Sequence, residues 1–186
     1  MLPNWLANTT KMLFQLKQAN KGFTFLEIII AIFVMTIGIV GALLAVQYAI
    51  SATTQSYSRL TAAYLAQEGI EIVRNIRDTN WLEQRTTPTT PWDDGLEEGD
   101  WEADYKDASL RFCDPPCDYD NNLKFLKKNS NGFYNYNTGE ITQFKRKITI
   151  EKPATSTLKV TVTVYWGEGK HSLTTQENLY NWRSGQ

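Results

Sequence analysis

The 186-residue chain has one histidine, His171, and two cysteines, Cys113 and Cys117. It contains no Gly-x-Ser-x-Gly elbow and no phosphate-cradling glycine loop. The lone histidine has no partner identifiable in the sequence for acid–base or nucleophilic work. These gaps argue against an enzyme, and no motif calls for a cofactor. Neither sign of charge is in excess: 19 Lys and Arg stand against 20 Asp and Glu, a net charge of −1. Nucleic-acid binding would need a basic surplus that the chain does not have, so no such partner is predicted. A thioredoxin-type redox pair is also excluded, because three residues rather than two separate the cysteines.

Charge is missing altogether from Ile28 to Val46, where Thr36, Gly38 and Gly41 alone interrupt the apolar run. These 19 residues approach the ~20 that cross a bilayer core as a helix. Glu27 stands just inside the front edge of the span, behind Phe23, Phe25 and Leu26. A carboxylate there costs about 2.5–3.5 kcal/mol without a partner and marks function by default, although one near the lipid edge can also snorkel to water.

The stretch Gly22-Phe23-Thr24-Phe25-Leu26-Glu27, with the apolar segment behind it, resembles the processing site of type IV prepilins and type II secretion pseudopilins. The resemblance implies that a membrane aspartyl peptidase cuts after Gly22 and methylates the new N-terminus at Phe23, with Glu27 as the hallmark acid. Two departures are a phenylalanine at Phe25, where leucine is common, and a long leader; a start at Met12 would give a more usual leader. Residues 63–71 and 73–78 are similar to the corresponding region of minor pilins and minor pseudopilins, which favours a low-copy subunit.

The residues give this stretch a physical logic of their own. Gly22 has no side chain, so a protease can approach the backbone closely. Cleavage there leaves the apolar segment on the mature chain, whereas a secretory signal is cut after its apolar region. It also creates a cationic amine at Phe23 within a helical turn of Glu27. Pairing of the two, within one chain or between neighbours, would align protomers, because an unpaired buried charge is heavily penalised. Lys11, Lys17 and Lys21 precede the span, and their loss with residues 1–22 takes the net charge from −1 to −4. Positive-inside reasoning puts residues 1–22 in the cytoplasm and the C-terminal domain outside a single-pass inner-membrane anchor.

The pattern divides the chain into a leader (1–22), a membrane or filament-core half-helix (23–50), an amphipathic half-helix (51–78), an irregular acidic and aromatic region (79–143) and an antiparallel β-meander (144–186). The two half-helices together would form a rod of about 80 Å. Leu65, Gly69, Ile72 and Ile76 share one helical face, with Gln67, Glu71, Arg74 and Arg77 on the remaining surface. In the β region, Phe144, Arg146, Ile148 and Ile150, and then Leu158, Val160, Val162, Val164 and Trp166, fall at period two. Residues 152–157 read as the hairpin loop, 167–170 as a second turn and 172–180 as a weaker third strand. A small sheet covering the helix stripe gives an α+β, pilin-like fold.

The middle region leaves alternatives open. Cys113 and Cys117 could close a short disulfide outside the cytoplasm, remain thiols or supply half of a metal site. Eight acids between Asp93 and Asp107 read as a solvated loop or as oxygen ligands for calcium. Asp118, Asp120 and Asn122 begin like a calcium loop, but Leu123 replaces the turn glycine and Asn129 the closing glutamate. Trp92, Trp101, Tyr105, Phe112, Phe125, Phe133, Tyr134 and Tyr136 either pin the region to the core or pave a binding surface.

Taken with the resemblance, these readings predict a minor pilin or pseudopilin. Its partners would be prepilin peptidase, other pilin subunits, the inner-membrane assembly platform and, before assembly, membrane lipid, and its destination a periplasmic or extracellular filament. The alternative is an extracytoplasmic adhesin or binding module on a pilin anchor, dependent on glycan or calcium.

Overall fold

The computed structural model describes residues 22–182. The expectations for Met12, Lys11, Lys17, Lys21 and the rest of the leader lie outside the described residues. One helix, α1, runs Phe25–Glu83 and is followed by seven strands. The chain divides into two compact units, one ending at Ile50 and the other beginning at Ser51.

In the first unit, helix formation begins behind a side-chain cap. Oγ1 of Thr24 accepts the backbone N–H of Glu27 at 3.3 Å, and the Thr24 carbonyl accepts that of Ile28 at 3.2 Å. Thr24 is therefore the N-cap, satisfying one of the amides that a helix start leaves without a partner. The apolar residues that follow are all exposed, and the helix is long and apolar enough to cross a membrane.

The second unit has its own core. Within α1, Ala62, Leu65, Ala66, Gly69, Ile70, Val73 and Ile76 are buried, the three- and four-residue spacing of one face. That face packs on a seven-stranded antiparallel sheet built from β1 (Gly99–Glu102), β2 (Arg111–Phe112), β3 (Phe125–Lys128), β4 (Tyr134–Asn135), β5 (Glu140–Ala154), β6 (Thr157–Trp166) and β7 (His171–Tyr180). One edge of β5 pairs with β6, which pairs in turn with β7. The other edge is shared, with β1 along Ile148–Ile150 and β3 along Glu140–Lys145. Ile148, Ile150, Leu158, Val160, Val162 and Val164 are essentially inaccessible, each contributing roughly 2 kcal/mol of apolar burial. Gly69 sets how closely α1 approaches: a Cβ there would lie 2.9 Å from Cγ1 of Val162 and 3.3 Å from Cδ of Arg146.

Several boundaries differ from the sequence expectation. α1 continues to Glu83 rather than stopping at 78, because its last turn is tied down. The Asn80 amide donates to the carbonyls of Trp92 and Asp94 at 3.2 and 2.9 Å. Arg77, expected on the polar surface, is buried over the Trp81 ring at 4.5 Å. The region expected to be irregular supplies β1 to β4, strands of two to four residues that are too short to display a period. The β5–β6 turn is tighter than the 152–157 loop, since β5 carries on through Pro153 to Ala154. The pairing register shifts between Glu151 and Ala154, a place where a strand tolerates a residue without an N–H. β7 is a full ten-residue strand.

Candidate functional site

The expected processing residues sit where chemistry on the backbone is feasible. Gly22, Phe23 and Thr24 precede the helix in non-helical backbone. A Cβ built on Gly22 would meet nothing within 4 Å, and Phe23 is 78% exposed. The Gly22–Phe23 peptide bond is thus open, and the Thr24 cap keeps it out of the helical hydrogen-bond ladder. Glu27 lies in the first helical turn, where the positive end of the helix dipole favours a carboxylate. Cleavage after Gly22 would place a new ammonium one residue before the cap, at that same positive end. Glu27 is the one acid in this turn to oppose it.

The middle region is largely consumed by the fold. Cys113 and Cys117 are joined in a disulfide with their Cα atoms 5.7 Å apart. With Leu123 and the flanking Tyr165 they form a small cluster of their own. Both sulfurs are therefore spoken for, and neither is a free thiol or a metal ligand. One carboxylate oxygen of Asp118 accepts the backbone N–H groups of Asp120 and Asn121, both at 3.0 Å, and the Asn121 amide at 2.8 Å. The Asn121 side chain leads in holding the Asp118 carboxyl below its ordinary range. Asn122 donates to the Asp114 carbonyl at 2.9 Å. These bonds close a turn around Asp118. Among the described residues, no three His, Cys, Asp or Glu side chains gather as a metal site.

Six of the eight acids from Asp93 to Asp107 are stapled into the fold, while Asp94 and Glu97 are exposed as the solvated-loop reading expects. Asp93 pairs with Lys152 at 2.6 Å, and Glu98 accepts the Lys152 backbone N–H at 2.8 Å. Asp100 accepts Oγ1 of Thr149 at 2.6 Å and Nζ of Lys147 at 3.4 Å. Glu102, 1% exposed, accepts the Lys124 N–H. Asp104, fully buried, accepts the Tyr136 N–H at 3.1 Å, and Asp107 pairs with Arg111 at 3.1 Å. The aromatics behave similarly. Trp92 and Tyr136 are buried, and Trp101 meets Phe112, Tyr105 meets Phe133 and Tyr134 meets Phe144 at centroid distances of 5.4, 5.1 and 6.1 Å. His171 lies flat against Trp166 at 5.6 Å.

The residue with the greatest structural reach is one the sequence placed on a face without giving it a role. Arg146 is completely buried in β5. It donates to the Leu65 carbonyl at 3.0 Å, to the Glu68 carboxylate at 3.2 Å and to the Ala103 carbonyl. Its occurrence within an otherwise apolar period-two series was the one visible signal.

A capped, lipid-compatible N-terminal helix followed by a C-terminal α+β unit fits a membrane-anchored protein of pilin-like layout. Residues 17–43 match the family model described as the prokaryotic N-terminal methylation motif, so the chain carries the type IV pilin signature. No curated protein and no solved structure matches the chain. The motif supports a type IV pilin- or pseudopilin-like precursor, and proteins that carry it are structural rather than catalytic. In general terms it implies prepilin peptidase and other pilin subunits as partners.

Proposed function

We propose that this protein is a minor pilin or minor pseudopilin, a structural subunit of a type IV pilus or type II secretion pseudopilus. Prepilin peptidase removes residues 1–22 by cutting after Gly22 and methylates the amine of Phe23. The subunit waits as a single-pass inner-membrane protein with its C-terminal domain outside the cytoplasm. It then leaves lipid for the filament through the assembly platform, helix first, with residues 23–50 forming the filament-core segment. Glu27 pairs with a Phe23 amine during this transfer, where an unmatched charge would be expensive. The observation that carries the reading is the open Gly22–Phe23 bond immediately ahead of the capped apolar helix. The adhesin alternative loses ground because most of the acids that would carry it bond within the fold, and Trp92 and Tyr136 are buried.

Intact and N-terminal peptide mass spectrometry, with and without the peptidase, tests the proposal. A mature chain beginning at Phe23 with one added methyl is expected. An uncut chain, or one cut beyond the apolar span, would sink it.

A further inference from the structure

The sheet ends in unequal edges. β2 and β4 are two residues long, too short to template another strand. β7 is ten residues long and pairs with β6 from His171 to Tyr180 without a register break, while among the described residues no strand pairs with its other edge. Long edges are usually blunted by proline, lysine, a bulge or inward charge. β7 has no proline, no lysine and no glycine, and Glu177 is its one acid. Its outer face shows Ser172, Thr174, Gln176 and Asn178, polar and uncharged.

A groove of about 560 Å³ lies beside this strand. Tyr64, Gln67 and Glu71 of α1 line one side of it and Thr175 and Glu177 of β7 the other. Side chains alternate across a strand, so a strand added to β7 would direct every second side chain into the groove. Arg74 is shared between two carboxylates: it pairs with Glu71 and, at 2.5 Å, with Glu177. Glu68, also at the groove, is engaged by Arg146. One carboxylate of the Glu71–Glu177 pair therefore lacks a full countercharge, and the exposed Tyr64 ring adds an apolar wall.

We propose that the β7 edge is a strand-addition site for an extended segment of a different protein, one that carries a lysine or arginine at an inward position. Main-chain hydrogen bonds would supply the affinity, and the Glu71–Glu177 groove would select the basic side chain. The inference does not depend on the fate of Gly22.

The test is hydrogen–deuterium exchange on the full chain in detergent micelles. The probe is an eight-residue capped peptide alternating threonine with valine, with lysine at one central valine position. Two control peptides carry glutamate at that position or N-methyl groups on alternate residues. The lysine peptide is expected to slow exchange at alternate amides of β7 and to bind about tenfold more tightly than the glutamate peptide. The N-methylated peptide should give no protection, and the double substitution Glu71→Gln, Glu177→Gln should abolish the preference for lysine. Unchanged β7 exchange, or equal protection by all three peptides, would overturn the proposal. So would protection of β7 that rises with protein concentration alone, because the occupant would then be a second copy.

Discussion

Arg146, in the strand at the junction of the sheet's branches, donates a hydrogen bond to the backbone of Leu65 on the helix above it at 3.0 Å. The same guanidinium reaches the Glu68 carboxylate and the Ala103 carbonyl, and so joins α1, β5 and the segment after β1. Loss of the guanidinium would strand the Leu65 and Ala103 carbonyls, while Glu68, 30% exposed, can turn to water. Leaving a buried acceptor unsatisfied costs about 1–3 kcal/mol. Arg146→Ala is expected to lower the unfolding free energy of the C-terminal unit by that order, read by tryptophan fluorescence in urea. Arg146→Lys should not rescue it, since an ammonium cannot satisfy acceptors in several directions from a planar fork.

Gly69 offers a test of the opposite kind. Alanine there would gain about 1 kcal/mol of helix propensity. However, the added carbon would fall 2.9 Å from Val162, and overpacking costs about 1–3 kcal/mol. Gly69→Ala should therefore destabilise on balance. Adding Val162→Ala, which opens the space, should make the pair less damaging than the sum of the two single changes. Additive effects would show that the helix moves away from the sheet instead of meeting it.

How far the fold was legible follows from these residues. The 65, 69, 72, 76 stripe and the alternations of β5 and β6 are long enough to impose a period, and each was readable. Arg146 could be placed on the inward face, but nothing local announces that its partners lie some eighty residues earlier on a helix. The acids from Asp93 to Asp107 looked solvated because their partners, Lys147, Thr149 and Lys152, come later in the chain. The stretch from Gly22 to Glu27 was legible for another reason. The chemistry proposed for it acts on the backbone and depends on contiguous residues.

The disulfide closes a very short loop. On the chain-entropy account such a crosslink contributes about 2 kcal/mol. The loop has other ties as well: the Cys113 N–H donates to the Asp100 carbonyl at 3.0 Å, and Lys145 donates to the Tyr119 carbonyl at 2.6 Å. Reduction, or Cys113→Ala with Cys117→Ala, should shift the urea midpoint by roughly that amount while near-ultraviolet circular dichroism stays native. Loss of the native spectrum would mean that the crosslink organises the unit instead of trimming its unfolded state.

Alkaline pH should probe Tyr136. Burial pushes its phenol well above the ordinary value of 10.0. The unfolded chain therefore gives up this proton first as pH rises, so stability is fully present below about pH 10 and declines above it. Tyr136→Phe removes the group and also its 3.4 Å hydrogen bond to the Arg146 carbonyl. The variant should be somewhat less stable at neutral pH, yet its decline above pH 10 should be shallower. Parallel curves for the two proteins would assign the alkaline loss to other groups, Tyr134 among them, whose phenol burial also raises.

Thr24 and Glu27 separate processing from assembly. Thr24→Ala deletes the cap at a cost of about 1 kcal/mol. It should fray the first turn while leaving the Gly22–Phe23 bond open to the peptidase. Glu27→Ala leaves the cap in place, because Thr24 binds the backbone N–H of residue 27 and not its side chain. Cleavage of the Glu27 variant should proceed normally, since nothing at Gly22 depends on the carboxylate. Incorporation into filaments should fall sharply, because the new amine at Phe23 would enter an apolar environment without its counter-ion. Quantifying cleaved subunit in the membrane and in sheared filaments measures both steps at once. Cleaved Glu27→Ala protein reaching filaments at the wild-type level would remove the carboxylate from assembly, and a block in cleavage would move its role to recognition by the peptidase.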